Sequence, residues 1–404
     1  MGAVAKSMSH PYNNLNLTFG DLRNMMLGLT SGQIFGTEKF DGTNMHWYIA
    51  EDGFPRFARN FSDVKIGGLS MIEMAARLSE QPYSVSQFIN GMKAIQRMKD
   101  DMNWTLRRDG TYWINCEIID SKNPQCYKYD TDHIVFHRLV TPNEKRSAMK
   151  PVIGSQVQTF VQMVQNVMTG DYEGWTVLPP TPIFLESKEG NVDIADCFSR
   201  LDQAMKNHGC EPKHKLSYFV RAQTIAAGEM MGMSEEDANY LADACLSVPG
   251  APTIHYLRSV SKSVDGVNKI AMSKNRRKWI NNCMKELMDI WTVFGAHILD
   301  GVSSSIIEDP SSCVHRLEKL IEWNITQLGD VYIESHRDLY NRTIDYLAQF
   351  ELLHVKPPAI EGIVYEWKGH TYKVTGAFPS MNRVCGAVRY ELNKKFPEEF
   401  AVCA

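Results

Sequence analysis

The sequence predicts an α+β protein, with antiparallel strands and helices in its first and last parts and an all-helical block between them. Three features lead there. Runs rich in aromatic and β-branched residues, "TYWINCEIID" and "HIVFHRLV" among them, occur before Asn191. From there to about residue 349 nearly every stretch repeats its apolar residues with helical period. Strand character then returns in "IEGIVYEWKGHTYKVTG". A helical block of about 160 residues between strand-rich parts reads as an inserted domain, 191–354, with 1–190 and 355–404 forming the host domain.

Along the chain, residues 16–30 suit a short helix. "GQIFGTEKF" reads as a strand entering a turn at Asp41-Gly42, because glycine accepts positive φ without a Cβ clash. "NMHWYIAEDG" alternates in part and closes on a second Asp-Gly, so a hairpin is expected here. "IEMAARLSE" and "VSQFINGMKAIQRMKDDM" are helical, and Phe88, Met92, Ile95 and Met98 fall at the three- and four-residue steps of a buried stripe. After the two strands come a helix over "SQVQTFVQMVQNVMTG" and an extended, proline-broken "TVLPPTPIFLES". The helices of the block are "DIADCFSRLDQAMKNHG", "SEEDANYLADACLS", "NRRKWINNCMKELMDIWTVFGAHI", "SSCVHRLEKLIEWNITQLG" and "HRDLYNRTIDYLAQF". Ser234 with Asp237 forms a capping pair, and Gly209 and Gly329 are stops. The last strands form a hairpin turned at Lys368-Gly369.

Composition narrows the class. At 404 residues, 44% hydrophobic and 22% charged, the chain suits a globular protein of two or three domains. No apolar run approaches ~20 residues, so no membrane span is expected. "MGAVAKSMSHPYNN" lacks the features of a secretory signal. Nine scattered cysteines without a C-x-x-C pair predict a reduced, cytoplasmic setting with neither disulfides nor a zinc site. A net charge of −4 argues against non-specific coating of nucleic acid. It leaves room for a local basic groove. Lys274, Arg276, Arg277 and Lys278 are the candidate nucleic-acid-binding residues, with a solvated helix face as the alternative reading.

In "EKFDGTN" the K-x-D-G string is weak by itself, occurring by chance in roughly one chain of this length in ten. Its company gives it weight. Adenylyl transfer through a lysine needs a nucleophilic amine, a ribose anchor, a surface for the base, a carboxylate for metal, and cations on the α-phosphate. Lys39, Arg59, Glu117, Phe136, Glu361 and Lys373 offer these in one order. Glu361 begins a strand and Lys373 lies on the return strand, so both can project to one face. Glu117 stands mid-strand, where an unpaired carboxylate is costly to bury. His133, His137 and His370 lack metal-ligand spacing and read as ordinary polar residues.

In these motifs the chain resembles the covalent nucleotidyltransferase superfamily, the ATP-dependent RNA and DNA ligases and the mRNA capping enzymes. Within it, the chain is most similar to RNA ligases of a phage type. "EKFDGTN" is similar to K-x-D/H-G-x-N, "RFARN" to the motif that follows it, and "WINCEII" to the strand with the ribose-binding glutamate. "HIVFHRL" resembles the strand with the base-stacking aromatic, and "EGIVYEWKGHTYKV" the paired E-G-x-V and lysine motifs. The resemblance implies an ATP-grasp-like ligase adenylation domain, with Lys39 as the AMP-bearing nucleophile. It implies Glu38, Asp41, Gly42, Asn44, Arg59, Glu117, Phe136 and Lys373 as nucleotide-binding residues, and Glu361 as the ligand of Mg²⁺ or Mn²⁺. ATP and RNA (or DNA) with 5′-phosphate and 3′-hydroxyl ends are the implied substrates, in RNA repair in the cytoplasm, the host's if the chain is phage-encoded.

Two departures stand out: Thr375 replaces a second lysine of the last motif, and His137 replaces the aspartate that commonly follows the stacking aromatic. DNA ligation or guanylyl capping is the alternative activity. Asn44 weighs against it, since arginine is usual there in those enzymes. So do the roughly 30 residues after Lys373, too few for an oligonucleotide-binding barrel. A non-catalytic nucleic-acid-binding or structural protein with a ligase-like fold is the alternative of another class, kept open by Thr375. The chemistry itself requires a neutral Lys39, so an ammonium of roughly 10.4 in water is expected to be depressed by about two to three units, by Lys373, Arg59 and metal.

Overall fold

The computed structural model describes residues 8–79, 82–122, 129, 131–179, 182–183, 194–306, 360–376, 378 and 382, with side chains described except at 82–85, 182–183 and 300–306. Thr18 starts α1 (Phe19–Thr30) with a capping box, its hydroxyl accepting from the Asp21 N–H while the Asp21 carboxylate accepts from the Thr18 N–H. β1 (Gly36–Lys39) and β2 (Thr43–Ile49) follow, and β2 turns at Asp52-Gly53 into β3 (Pro55–Ala58). There Gly53 takes φ 78°, and the Ala50 N–H donates to the Phe54 carbonyl at 3.0 Å. Capping boxes at Asn60 and Ser70 start α2 (Phe61–Lys65) and α3 (Met71–Leu78), and α4 spans Pro82–Met98.

β4 (Trp113–Ile119), β5 (Asp132–Pro142) and β6 (Met149–Pro151) form a meander, followed by α5 (Ser155–Val167), β7 (Trp175–Leu178) and β8 (Pro182–Ile183). The helical block contains α6 (Ala195–Asn207), α7 (Leu216–Met230), α8 (Glu235–Leu246), α9 (Ile254–Ser259), α10 (Val264–Ala271), α11 (Ser273–Cys283) and α12 (Lys285–Ile306). The hairpin of β9 (Gly362–Trp367) and β10 (His370–Val374) turns at Lys368-Gly369. The helix expected over 275–298 is two, broken at Met284. The expected helices at 311–329 and 336–350, with the stop at Gly329, lie outside the described residues. Gly209 does stop α6, at φ 62°, and the Ser234 hydroxyl accepts the Asp237 N–H at 3.1 Å.

The protein is α+β, its strands in two mainly antiparallel sheets. One has four strands in the order β10-β9-β1-β8; the other runs β3-β2-β4-β5-β6, with β7 added parallel to β5. β1 and β2, on either side of Asp41-Gly42, therefore lie in different sheets, while the hairpin expected of "NMHWYIAEDG" is β2 with β3. Asp41-Gly42 carries the chain between them. Its glycine is required for closeness and not for positive φ: a Cβ on Gly42 would stand 2.6 Å from the Ile118 carbonyl oxygen and 2.7 Å from Glu117 Cγ.

Each sheet has its own core. Phe88, Met92, Ile95 and Met98 are fully buried against the second sheet with Trp47, Trp113 and Phe136. The helical block shares its core with the other sheet and with α1, since Phe19, Met25, Phe219, Trp291, Phe294, Tyr365 and Tyr372 belong to one cluster. Thus the residues expected as an inserted domain pack directly behind β9 and β10. Among the described residues no helix is long and apolar enough to cross a membrane, and Cys116, Cys197, Cys210, Cys245 and Cys283 are free thiols.

Candidate active site

Lys39 ends β1 and its ammonium is ion-paired with the Glu361 carboxylate, just before β9. β1 and β9 place them side by side, with Lys39 opposite Gly362 and Thr37 opposite Val364. Lys373 on β10 is also opposite Val364. Lys39 and Lys373 therefore share one face of the four-stranded sheet. Residues more than 300 positions apart are brought together by a single strand pairing.

That face meets the second sheet across a cleft of about 710 Å³, lined by Lys39, Asn115, Glu117, His137, Arg138 and Glu366 among others. The volume lies in the range of small-molecule sites. Glu117 is held on two sides. His137 Nε2 lies 3.3 Å from its Oε2, and Asn44, its partner across β2 and β4, donates from Nδ2 to the Cys116 carbonyl at 3.2 Å. Asn44 Nδ2 also lies 3.5 Å from Glu117 Oε2, so Asn44 acts as a support behind the glutamate. Asp41 is buried, and its N–H donates to the Tyr129 hydroxyl at 3.0 Å.

Electrostatics in this cleft differ from the expectation in one respect. Burial by itself lowers the Lys39 pKa, but Glu361, Glu117 and Asp41 outweigh it, and the net shift is upward. The lowered amine is Lys373, first by burial and then by the charge of Lys39, with Glu361 opposing. Three carboxylates around one ammonium are the physical reason the Lys39 pKa is pulled up rather than down. Burial, before any charge, pushes the Glu361 carboxyl up, with Lys39 pulling against it.

Glu38 also borders the cleft, and burial raises its carboxyl from 4.5 to about 7. Between those values the folded chain keeps a proton that the unfolded chain releases, so this group's contribution to stability falls as pH rises through the window. Glu38→Gln is expected to remove that part of the decline. Urea midpoints measured from pH 4 to pH 8 check this, and an unchanged slope in the variant would contradict it.

Phe136 does not reach the cleft. It is fully buried on the opposite side of the sheet, its ring centroid 5.8 Å from that of Trp47. The cause is a bulge: Asn115 pairs with Arg138 but Cys116 with Phe136, leaving His137 as the extra residue. His137 and Arg138 thereby line the cleft in the place expected of the aromatic. Phe136→Ala is expected to cost about 3–5 kcal/mol, the usual range for truncating a buried phenylalanine, read as a lowered urea midpoint.

Arg59 also lies off the cleft lining. Its guanidinium carbon sits 4.7 Å over the Phe88 ring, and Nη1 is buried without a hydrogen-bond partner among the described residues. Thr375, where a second lysine was looked for, is buried and packed against the position of a Cβ on Gly362. A lysine there would point into protein. Lys274 and Lys278 are exposed and do not line this cleft, while Arg276 and Arg277 line a second cleft described below.

His137 and Arg138 are the site residues that sequence reasoning missed. The two-residue step from Asn115 to Glu117 marks a shared face, but nothing local announces the bulge that sets which β5 residues join it. No family model, curated protein or solved structure matches the chain.

Proposed function

We propose that the chain is an ATP-dependent polynucleotide ligase, acting on RNA, that carries AMP on Lys39 and adopts a nucleotidyltransferase fold. One observation supports this above the others: Lys39, in a buried ion pair with Glu361, lines a cleft that Glu117 also lines, with Lys373 on the same sheet face as Lys39.

In the proposed reaction Lys39 first gives its proton to a solvent water and leaves its ion pair with Glu361, freeing the lone pair on Nζ. A bond then forms from Nζ to the α-phosphorus of ATP as the bond from that phosphorus to pyrophosphate breaks. Lys373, pushed toward neutrality by burial and by Lys39, regains a favourable environment for its charge beside the phosphate oxygens. Glu117, braced by Asn44 and His137, accepts hydrogen bonds from ribose hydroxyls. AMP passes next to a 5′-phosphate oxygen of a polynucleotide, which restores the lysine. Attack by a 3′-hydroxyl on that phosphate joins the strands and releases AMP.

The acidic groups suit a hard cation that arrives with the nucleotide. Among the described residues no cluster of three or more metal-ligating side chains occurs, and Mg²⁺ is commonly held by one or two carboxylates completed by phosphate oxygens and water. Glu361 would hold it, and the ion would supply charge neutralisation at the transferring phosphate.

The test is incubation of the full chain with Mg²⁺ and α-labelled ATP or GTP, followed by denaturation. Label retained from ATP is the expected result. Label from GTP alone points to capping chemistry, and no label from either removes covalent catalysis, leaving a non-catalytic protein.

A further inference from the structure

A second cleft, of about 750 Å³, lies where residues near the start of the described chain meet α8, α11 and α12. Arg276, Arg277 and Lys373 line it, and no Asp or Glu is among the residues lining it. On a chain of net charge −4, three cations facing one space without a carboxylate form a local positive field. The basic stretch is thereby sorted by helix geometry. Ser273, Arg276, Arg277, Ile280 and Asn281 turn one face of α11 to the cleft, at three- and four-residue steps, while exposed Lys274 and Lys278 do not line it.

Arg276 is fixed in place. Its Nε donates to the Ala271 carbonyl at 3.0 Å and its Nη1 donates to the Ser247 hydroxyl. Among the described residues Arg277 and Lys373 form no ion pair; Arg277 is exposed, and Lys373 has the Glu361 carboxylate near enough to favour its charge. At the Lys373 end His10 leaves Nδ1 buried without a hydrogen-bond partner among the described residues, and the Lys373 N–H donates to the Ser9 carbonyl at 3.2 Å. Tyr12, Ile280, Met284 and Met288 add apolar wall to the same cleft. Cations interleaved with an aromatic ring and apolar surface suit unstacked bases on a phosphate backbone. Lys373 lies on the same sheet face as Lys39, so this cleft leads toward the nucleophile.

We propose that the second cleft binds the backbone of a single-stranded polynucleotide through Arg276, Arg277 and Lys373, and leads its 5′-phosphate to the AMP on Lys39. The delivery step rests on the ligase reading; the binding does not.

The probe is a 5′-phosphorylated 12-nucleotide RNA labelled at its 3′ end, titrated with the full chain without ATP and followed by fluorescence anisotropy. Arg276→Ala with Arg277→Ala is expected to weaken binding about tenfold and to flatten the slope of log K against log salt by about 1.4, the loss of two backbone contacts. Lys274→Ala with Lys278→Ala is expected to stay within about twofold of the parent chain. Because Arg276 also ties α11 to its neighbours, Arg277→Glu is the second variant, and it should weaken binding at least as much as the double alanine.

Binding unchanged in Arg277→Glu overturns the proposal. So does an equal loss in the Lys274/Lys278 variant, which would make the attraction diffuse, or no RNA binding by the parent chain. A rise in the ATP needed for labelling, with RNA binding intact, assigns the cleft to the ATP polyphosphate and also overturns it. If the chain takes no label from ATP yet RNA binding depends on Arg277, the ligase reading fails while the cleft stands.

Discussion

Lys39→Ala is expected to abolish covalent labelling by α-labelled ATP, a loss of at least about 10³-fold, because no other described amine shares its place against Glu361. Alanine also strands the Glu361 carboxylate in a buried place, and breaking a buried pair from one side commonly costs about 3–5 kcal/mol. Loss of label by unfolding would then imitate loss of the nucleophile. Lys39→Arg separates the two. Arginine keeps the charge beside Glu361 but stays protonated throughout the accessible pH range, so it has no lone pair to offer. The arginine variant should therefore unfold near the urea midpoint of the parent chain and still take no label. Label on Lys39→Arg would show that another residue carries the nucleotide.

Gly42→Ala is expected to destabilise the chain by about 3 kcal/mol, at the high end for overpacking a rigid site. The methyl group would meet the Ile118 carbonyl oxygen at 2.6 Å, and that backbone is held by β4 between β2 and β5. It cannot step aside without disturbing the ladder. The second obstacle is Glu117 Cγ at 2.7 Å, so relaxation moves the carboxylate that faces the cleft. A lowered urea midpoint, together with labelling that saturates only at higher ATP, is the expected pair of results. A variant with parental stability would show that the strands give way more easily than their hydrogen bonding suggests.

Much of this architecture could be read from the residues. The period of Phe88, Met92, Ile95 and Met98 describes a face that is indeed fully buried, because helix periodicity is local and tertiary context only has to supply the partner. The hairpin at Lys368-Gly369 was legible for the same reason, as its turn chemistry sits beside its strands. Pairing between distant strands is another matter. Asp41-Gly42 has the letters of a tight turn, yet β1 takes β8 and β9 as neighbours and leaves β2 to the other sheet. The partner that decides it, β9, lies more than 300 residues away. Phe136 fails for a related cause: strand parity is readable only until a bulge resets it, and the bulge between Asn115 and Cys116 moves His137 into the count. The upward pull on Lys39 was not legible from its motif, because two of its three acidic neighbours, Glu117 and Glu361, come from distant parts of the chain.

The pairing of β1 has a consequence for how the chain is made. The second sheet draws its strands from residues 43–178, so a ribosome can complete it early. β1 can pair early with β8, but its other edge must wait for β9, which emerges more than 300 residues after Lys39, and such long-range closure is slow and comes late in vectorial folding. Until then Lys39 has neither its ion-pair partner nor Lys373 beside it. A half-synthesised chain therefore lacks the assembled Lys39–Glu361 pair, and the side of β1 that β9 will cover stays an open strand edge during translation.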